Sequence, residues 1–138
     1  MKENWKLHHI AIVVKDIDKA VAYYKSLGIA VEGREVKFPE AQPAIRAKFI
    51  QVGSTPLEFI QPVRGTSMYH EFLDSKGEGL HHVAFAVADL DEEIKKLKDK
   101  GVPVLVHAPA PAAFGAMSAH MDTRKVGDFA LQLIQEEK

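Results

Sequence analysis

The chain contains no cysteine, only one tryptophan, and an aromatic share of 8%. Without cysteine there are no disulfides and no thiolate zinc sites, so any metal must be held by His, Glu, Asp or Gln. No sign of charge dominates either. Eighteen basic and 19 acidic residues leave a formal net charge of −1, and the lysines are interleaved with acids rather than gathered in a block. That pattern argues against a nucleic-acid partner. Long hydrophobic runs are also missing: the apolar stretches are strand-sized, far short of the roughly 20 residues that a membrane span requires. The opening "MKENWKLHH" has no signal-like apolar core. The expectation is a cytoplasmic protein without a membrane partner.

What is present is an ordinary globular composition, 46% apolar and 27% charged over 138 residues. This suits a single domain, or two small halves sharing a core. The halves are visible as a repeat. "LHHIAIVVKDIDKAVAYYKSLGIAV" (7–31) aligns without a gap on "LHHVAFAVADLDEEIKKLKDKGVPV" (80–104), with ten of 25 positions identical. In both copies an apolar, β-rich run ends at an aspartate placed to cap a helix, and the helix closes on Gly28 or Gly101. "PLEFIQ" (56–61) then matches "ALQLIQ" (130–135) with one residue of slippage.

Each half therefore reads strand, helix, three strands. The spans expected are about 7–14, 17–27, 30–37, 44–51 and 56–61, then 80–87, 90–100, 102–107, 115–122 and 128–135. Module one covers about 5–63 and module two about 79–136. Between them a linker (64–78) carries a short helix with Met68, Phe72 and Leu73 on one side. "APAPAAFGA" (108–116) is too rich in Pro and Ala for a strand and is expected to be a loop, a candidate lid over bound substrate.

Alternation along a strand separates the paired histidines. His9, Ala11 and Val13 point one way; His8, Ile10, Ile12 and Val14 point the other, toward the helix of their own half. His82, Ala84 and Ala86 repeat the first set. In the last strand of each half, Glu58 and Gln132 stand between apolar neighbours that point oppositely. Related by a pseudo-two-fold axis, His9 and Glu58 would meet His82 and Gln132 around one centre. Two imidazoles, a carboxylate and an amide oxygen suit Zn, Fe(II), Mn, Co or Ni. His8 and His81 are left as rim or helix-packing residues.

The segments "HHIAIVVKDIDKAVAYYKSLG" and "FLDSKGEGLHHVAFAVADLDEEIKKLKDKGV" resemble the two signatures of the vicinal oxygen chelate superfamily, which includes glyoxalase I, methylmalonyl-CoA epimerase and the extradiol dioxygenases. The resemblance covers essentially the whole chain. It implies an α+β fold of two tandem βαβββ modules forming a cupped, barrel-like mixed sheet around one divalent metal ion, commonly as a homodimer. Carried over, the metal ligands fall on His9, Glu58, His82 and Gln132.

Two departures bear on the reaction. The epimerases and glyoxalase I normally have a glutamate where this chain has Gln132, and an amide can ligate but cannot act as a base. The additional glutamate that some epimerases carry on the third strand falls on Ala47, and their His-Pro pair falls on Asp122-Thr123. The family chemistry is metal stabilisation of an enolate formed next to a chelated carbonyl. Glu58 is then the one strong candidate for the catalytic base.

The resulting expectation is a divalent-metal-dependent isomerase or lyase of the glyoxalase or epimerase type. Two alternatives are an Fe dioxygenase using His9, His82 and Glu58, and a small-molecule-binding resistance-type protein without chemistry. The substrate is unknown. Lys48, His107, His120, Arg124 and Lys125 are candidates to edge the cleft and meet an anionic small molecule, with a solvated surface position as the more ordinary account of each.

Overall fold

A computed structural model describes residues 4–37, 44–109 and 117–135. The chain runs β1 (Lys6–Val13), α1 (Ile17–Ser26), β2 (Ala30–Lys37), β3 (Ala44–Val52), β4 (Thr55–Arg64), α2 (Met68–Lys76), β5 (Gly79–Val87), α3 (Leu90–Asp99), β6 (Val104–Pro109), β7 (Met117–Met121) and β8 (Ala130–Gln135). Two compact units result: one spans His9–His81, the other His82–Lys138 together with Met1–His8. The linker helix α2 belongs to the first.

The strand order is β2-β3-β4-β1 in the first half and β5-β8-β7-β6 in the second. In each half one parallel pair, β1 with β4 or β5 with β8, is followed by antiparallel neighbours. This is a mixed sheet with tandem βαβ units. It is not closed into a true barrel, which corrects the barrel-like expectation: among the described residues β2 and β6 each have a neighbouring strand on one side only.

The repeat extends to individual hydrogen bonds. Asp16 and Asp89 are extended in backbone and cap α1 and α3, each accepting the N–H three residues on at 3.1 Å. A second orphan N–H of each helix is met from the last strand of its own half. Ile17 donates to Gln61 Oε1 at 2.9 Å and Leu90 to Gln135 Oε1 at 3.0 Å. Gly28 and Gly101 follow the helices with φ of 74° and 88°, where a side chain would be strained.

The cores repeat as well. Val14, Ile17, Val21, Ile50 and Phe59 form one; Val87, Leu90, Ile94, Ala119, Met121 and Leu133 form the other. Each joins its helix to the helix-facing side of its strands. On α2, Met68, Phe72 and Leu73 are half-buried while Glu71, Asp74, Ser75 and Lys76 are exposed, as the spacing predicts.

Some boundaries differ from the sequence reading. Strand β6 starts only after Pro103, which has no N–H to donate, and it continues through Ala108 and Pro109, paired with Ser118 and Met117. Ala108 and Pro109 are therefore strand where a loop is expected, and the rest of that segment, 110–116, with the lid assigned to it, lies outside the described residues. Strand β8 starts at Ala130 rather than 128, because Asp128 takes a φ of 61° in a turn closed by the Thr123 hydroxyl donating to the Phe129 carbonyl at 2.9 Å.

Candidate metal centre

Register places the four expected side chains. On the parallel pair β1/β4, Ala11 lies opposite Glu58; on β5/β8, Ala84 lies opposite Gln132. In both halves the histidine sits two residues before that alanine and so on the same face. Ala11 and Ala84 are fully buried, and their methyl groups leave space that a larger residue would fill. His9, Glu58, His82 and Gln132 are all buried. Along β1 burial alternates from His9 to Val13, as the two-face argument requires.

In the first half, His9 Nε2 lies 3.3 Å from Glu58 Oε1, and the Phe49 ring stands edge-on to His9 with centroids 5.8 Å apart. Phe49 is the cross-strand partner of Glu58. In the second half, His120 is the cross-strand partner of Gln132, and its ring meets that of His82 edge-on at 4.6 Å. Gln132 Oε1 has no hydrogen-bond partner among the described residues. A buried amide oxygen left without a partner costs on the order of 1–3 kcal/mol, so a cation is a fitting occupant for the space before it. One ligand atom from each of His9, Glu58 and His82 lies within 4.8 Å of the others. Nitrogen donors beside one hard oxygen are what a first-row divalent ion takes, and this His/His/Glu cluster is capable of coordinating one.

The remaining candidates separate clearly. His81 packs in the aromatic cluster of α2, with ring centroids 4.7 Å from Tyr69 and 5.2 Å from Phe72. His8 is half-buried at the start of β1. Lys48 pairs with Phe59 and so stands on the face away from Glu58. His107 and Lys125 are exposed. Arg124 is bound at 2.8 Å to Asp122, whose carboxyl that hydrogen bond holds below its usual range. Of this group only His120 is buried beside a ligand candidate.

Tyr69 was not singled out by sequence. Burial, and next the charge of Glu58, push its phenol well above the ordinary tyrosine range, so it stays a neutral O–H group near that carboxylate. A single tyrosine at the start of a linker helix gives no periodic signal by which to find it.

The fold and this cluster define a class. Residues 8–119 match the model of the glyoxalase/bleomycin resistance protein/dioxygenase superfamily, and the chain belongs to that superfamily. It is 33% identical to the uncharacterized protein YqjC of Bacillus subtilis over 94% of this chain and 91% of that one. It is 29% identical to the mitochondrial methylmalonyl-CoA epimerase of Bos taurus, over 94% of this chain and 74% of the relative. In fold it is similar to the crystal structure of methylmalonyl-CoA epimerase from Mycobacterium tuberculosis, with a TM-score of 0.78 at 21% identity over 96% of this chain and 89% of that one. Fold, family and donor cluster together are consistent with a metal-dependent isomerase or lyase of the glyoxalase and epimerase type. No described helix is long and apolar enough to cross a membrane.

Proposed function

We propose that His9, Glu58, His82 and Gln132 hold one divalent metal ion, and that the protein moves a proton next to a carbonyl of a small, oxygen-chelating substrate, with Glu58 as the base. In this reading the 138 residues act as one domain, the two modules sharing one centre, and the chain works as a homodimer. The observation that carries it is the convergence of His9, Glu58 and His82 ligand atoms within 4.8 Å. The partnerless Gln132 oxygen supports a fourth donor.

The bound ion supplies a positive charge to the oxygen that becomes negative as the proton leaves. The residues do the rest. His9 and His82 offer neutral nitrogen donors from buried strands, so their positions are set by the sheet. Glu58 is the one carboxylate of the four side chains and the one able to accept a proton, which it returns to the same or a neighbouring atom. Gln132 can ligate through its oxygen but not take a proton, so a one-base shuttle is favoured over a pair of bases on opposite faces of the carbon. Phe49 and Ala11 keep the surroundings of Glu58 apolar and limit access of water. The epimerase relatives make a 2-substituted malonyl thioester the first substrate to try.

The test has two readings. Elemental analysis of untagged protein purified without chelator should find about one Zn, Co, Ni, Mn or Fe per chain, lost in His82→Ala. Incubation with methylmalonyl-CoA in deuterated water should then exchange its acidic carbon-bound hydrogen, and Glu58→Gln should stop that exchange while the fold persists. Exchange surviving in Glu58→Gln removes that residue as the base. Iron together with oxygen consumption would move the reading to a dioxygenase using the same His/His/Glu set.

A further inference from the structure

On the face that carries Gln132, the second module is polar where the first is apolar. Strand pairing fixes the matched positions: Phe49 lies across from Glu58 and Ala47 from Ile60, while His120 lies across from Gln132 and Ser118 from Ile134. Residues directly opposite in an antiparallel pair share a face. A phenyl ring and a methyl group in the first module are thus answered by an imidazole and a hydroxyl in the second. Both His120 and Ser118 are buried. The His120 ring stands edge-on to His82 at 4.6 Å, which keeps it beside the donor cluster. Around it the floor is built of small residues, Ala84, Ala86 and Ala130, all buried. The row Gln132, His120, Val106 runs outward across the strands, and Val106 is exposed, so this face opens to solvent at its β6 end.

We propose that His120 is a specificity-determining residue of the site, and that the substrate carries a hydroxyl group, close to its chelating oxygens, which His120 and Ser118 hydrogen-bond. The inference rests on the metal-chelation reading above and narrows its substrate class. Two observations select a hydroxyl. An imidazole and a serine hydroxyl each both donate and accept, and a hydroxyl is the small substituent that does the same. The floor is also free of formal charge: apart from histidine, the strands "GLHHVAFAV", "VLVHAP", "MSAHM" and "ALQLIQ" contain no Lys, Arg, Asp or Glu. A carboxylate or an ammonium group placed there would meet no opposite charge from these strands, a cost that a neutral hydroxyl does not carry. An alkyl group in its place would cover polar side chains without replacing their hydrogen bonds to water. Neighbouring strands lie about 4.8 Å apart. His120 is thus one strand spacing from Gln132, within reach of the next atoms of a molecule bound before that amide. The contact acts on binding and orientation, and Glu58 remains the base.

The test compares two 2-oxo acids of equal charge and nearly equal size: hydroxypyruvate, and 2-oxobutyrate with a methyl group in the hydroxyl's place. Each is titrated into the full chain loaded with Co(II), whose visible spectrum reports chelation, while calorimetry gives the two affinities. Hydroxypyruvate should bind about tenfold more tightly. His120→Phe, which copies the first module, should abolish that preference, and Ser118→Ala should reduce it about threefold. His120→Leu takes its place if the first variant does not fold. Equal affinities in the wild-type chain, with the spectrum shifted by both acids, overturn this proposal alone. So does a preference that survives in the His120 variants. A spectrum that neither acid shifts at millimolar concentration overturns chelation at the centre, and this inference with it.

Discussion

The two modules are one design with different side chains at a few matched points. The caps, the glutamines that complete them, the closing glycines and the parallel-strand register are all duplicated. The differences gather at two places. Around the ligand candidates, Phe49 and Glu58 of the first module answer to His120 and Gln132 of the second. Beneath the helices, an open crevice between α1, Ile12, Phe59 and Gly79 in the first answers to Trp5, packed below α3, in the second, and the repeat sets Glu78 at the position of Trp5. The backbone plan is therefore separable from the chemistry: the same register delivers a carboxylate or an amide to the same spot, and only one of these can take up a proton.

The largest asymmetry is expected at the donors. Glu58→Ala should weaken metal binding by more than about 100-fold, while Gln132→Ala, which removes a neutral donor, should cost about tenfold. Competition against a chelator of known affinity measures both, and equal losses would mean that the two positions are equivalent. Next in size is the helix-facing side. Trp5→Ala should destabilise the fold by about 2 kcal/mol, whereas Glu78→Ala should stay within about 0.5 kcal/mol, read from urea unfolding. A large cost at Glu78 would show that the first module needs its counterpart after all. The caps should be the point of sameness: Asp16→Ala and Asp89→Ala should each cost about 1 kcal/mol, and unequal values would break the symmetry at its most regular place.

The smallest effect concerns acid stability. Hydrogen bonding to Arg124 lowers the Asp122 carboxyl in the folded state, so its contribution is present above the ordinary carboxylate range and is lost as pH falls through the folded value. The pair is partly exposed, with side-chain accessibilities of 25% for Asp122 and 50% for Arg124, and solvent screens it. Asp122→Asn should therefore flatten the acid side of the stability profile by less than about 1 kcal/mol. A larger change would point to a buried role for this carboxyl.

Much of this was legible because it is periodic or repeated. His9 and His82 could be assigned a face from alternation alone, and Glu58 and Gln132 from the same argument applied to the last strands. The strand order follows the two-module reading, but the barrel-like closure does not, because closure depends on what the outer strands β2 and β6 meet, which no local pattern encodes. Ala108 and Pro109 join β6 against expectation because Ala and Pro disfavour strands only in isolation, and here Ser118 and Met117 supply partners across the sheet. His120 is expected from sequence only as one of several cleft-edge candidates; its position against His82 and across from Gln132 comes from a strand pairing twelve residues away that propensity cannot register. The crevice was invisible for a different reason: it is made of a substitution, and becomes apparent only when Trp5 is seen in place.

The amide at position 132 also fixes an electrical quantity. The proposed donor set contains one carboxylate, and its other three members are neutral. A dication among them keeps one unit of positive charge in surroundings where little water is present to disperse it. Charge balance then becomes a selection rule: an anionic oxygen, such as an enolate or a carboxylate, completes the set with no net charge, and a neutral carbonyl does not. With Gln132 as the proposed fourth donor, that balance would be left to the guest, where a second glutamate would satisfy it from within the protein.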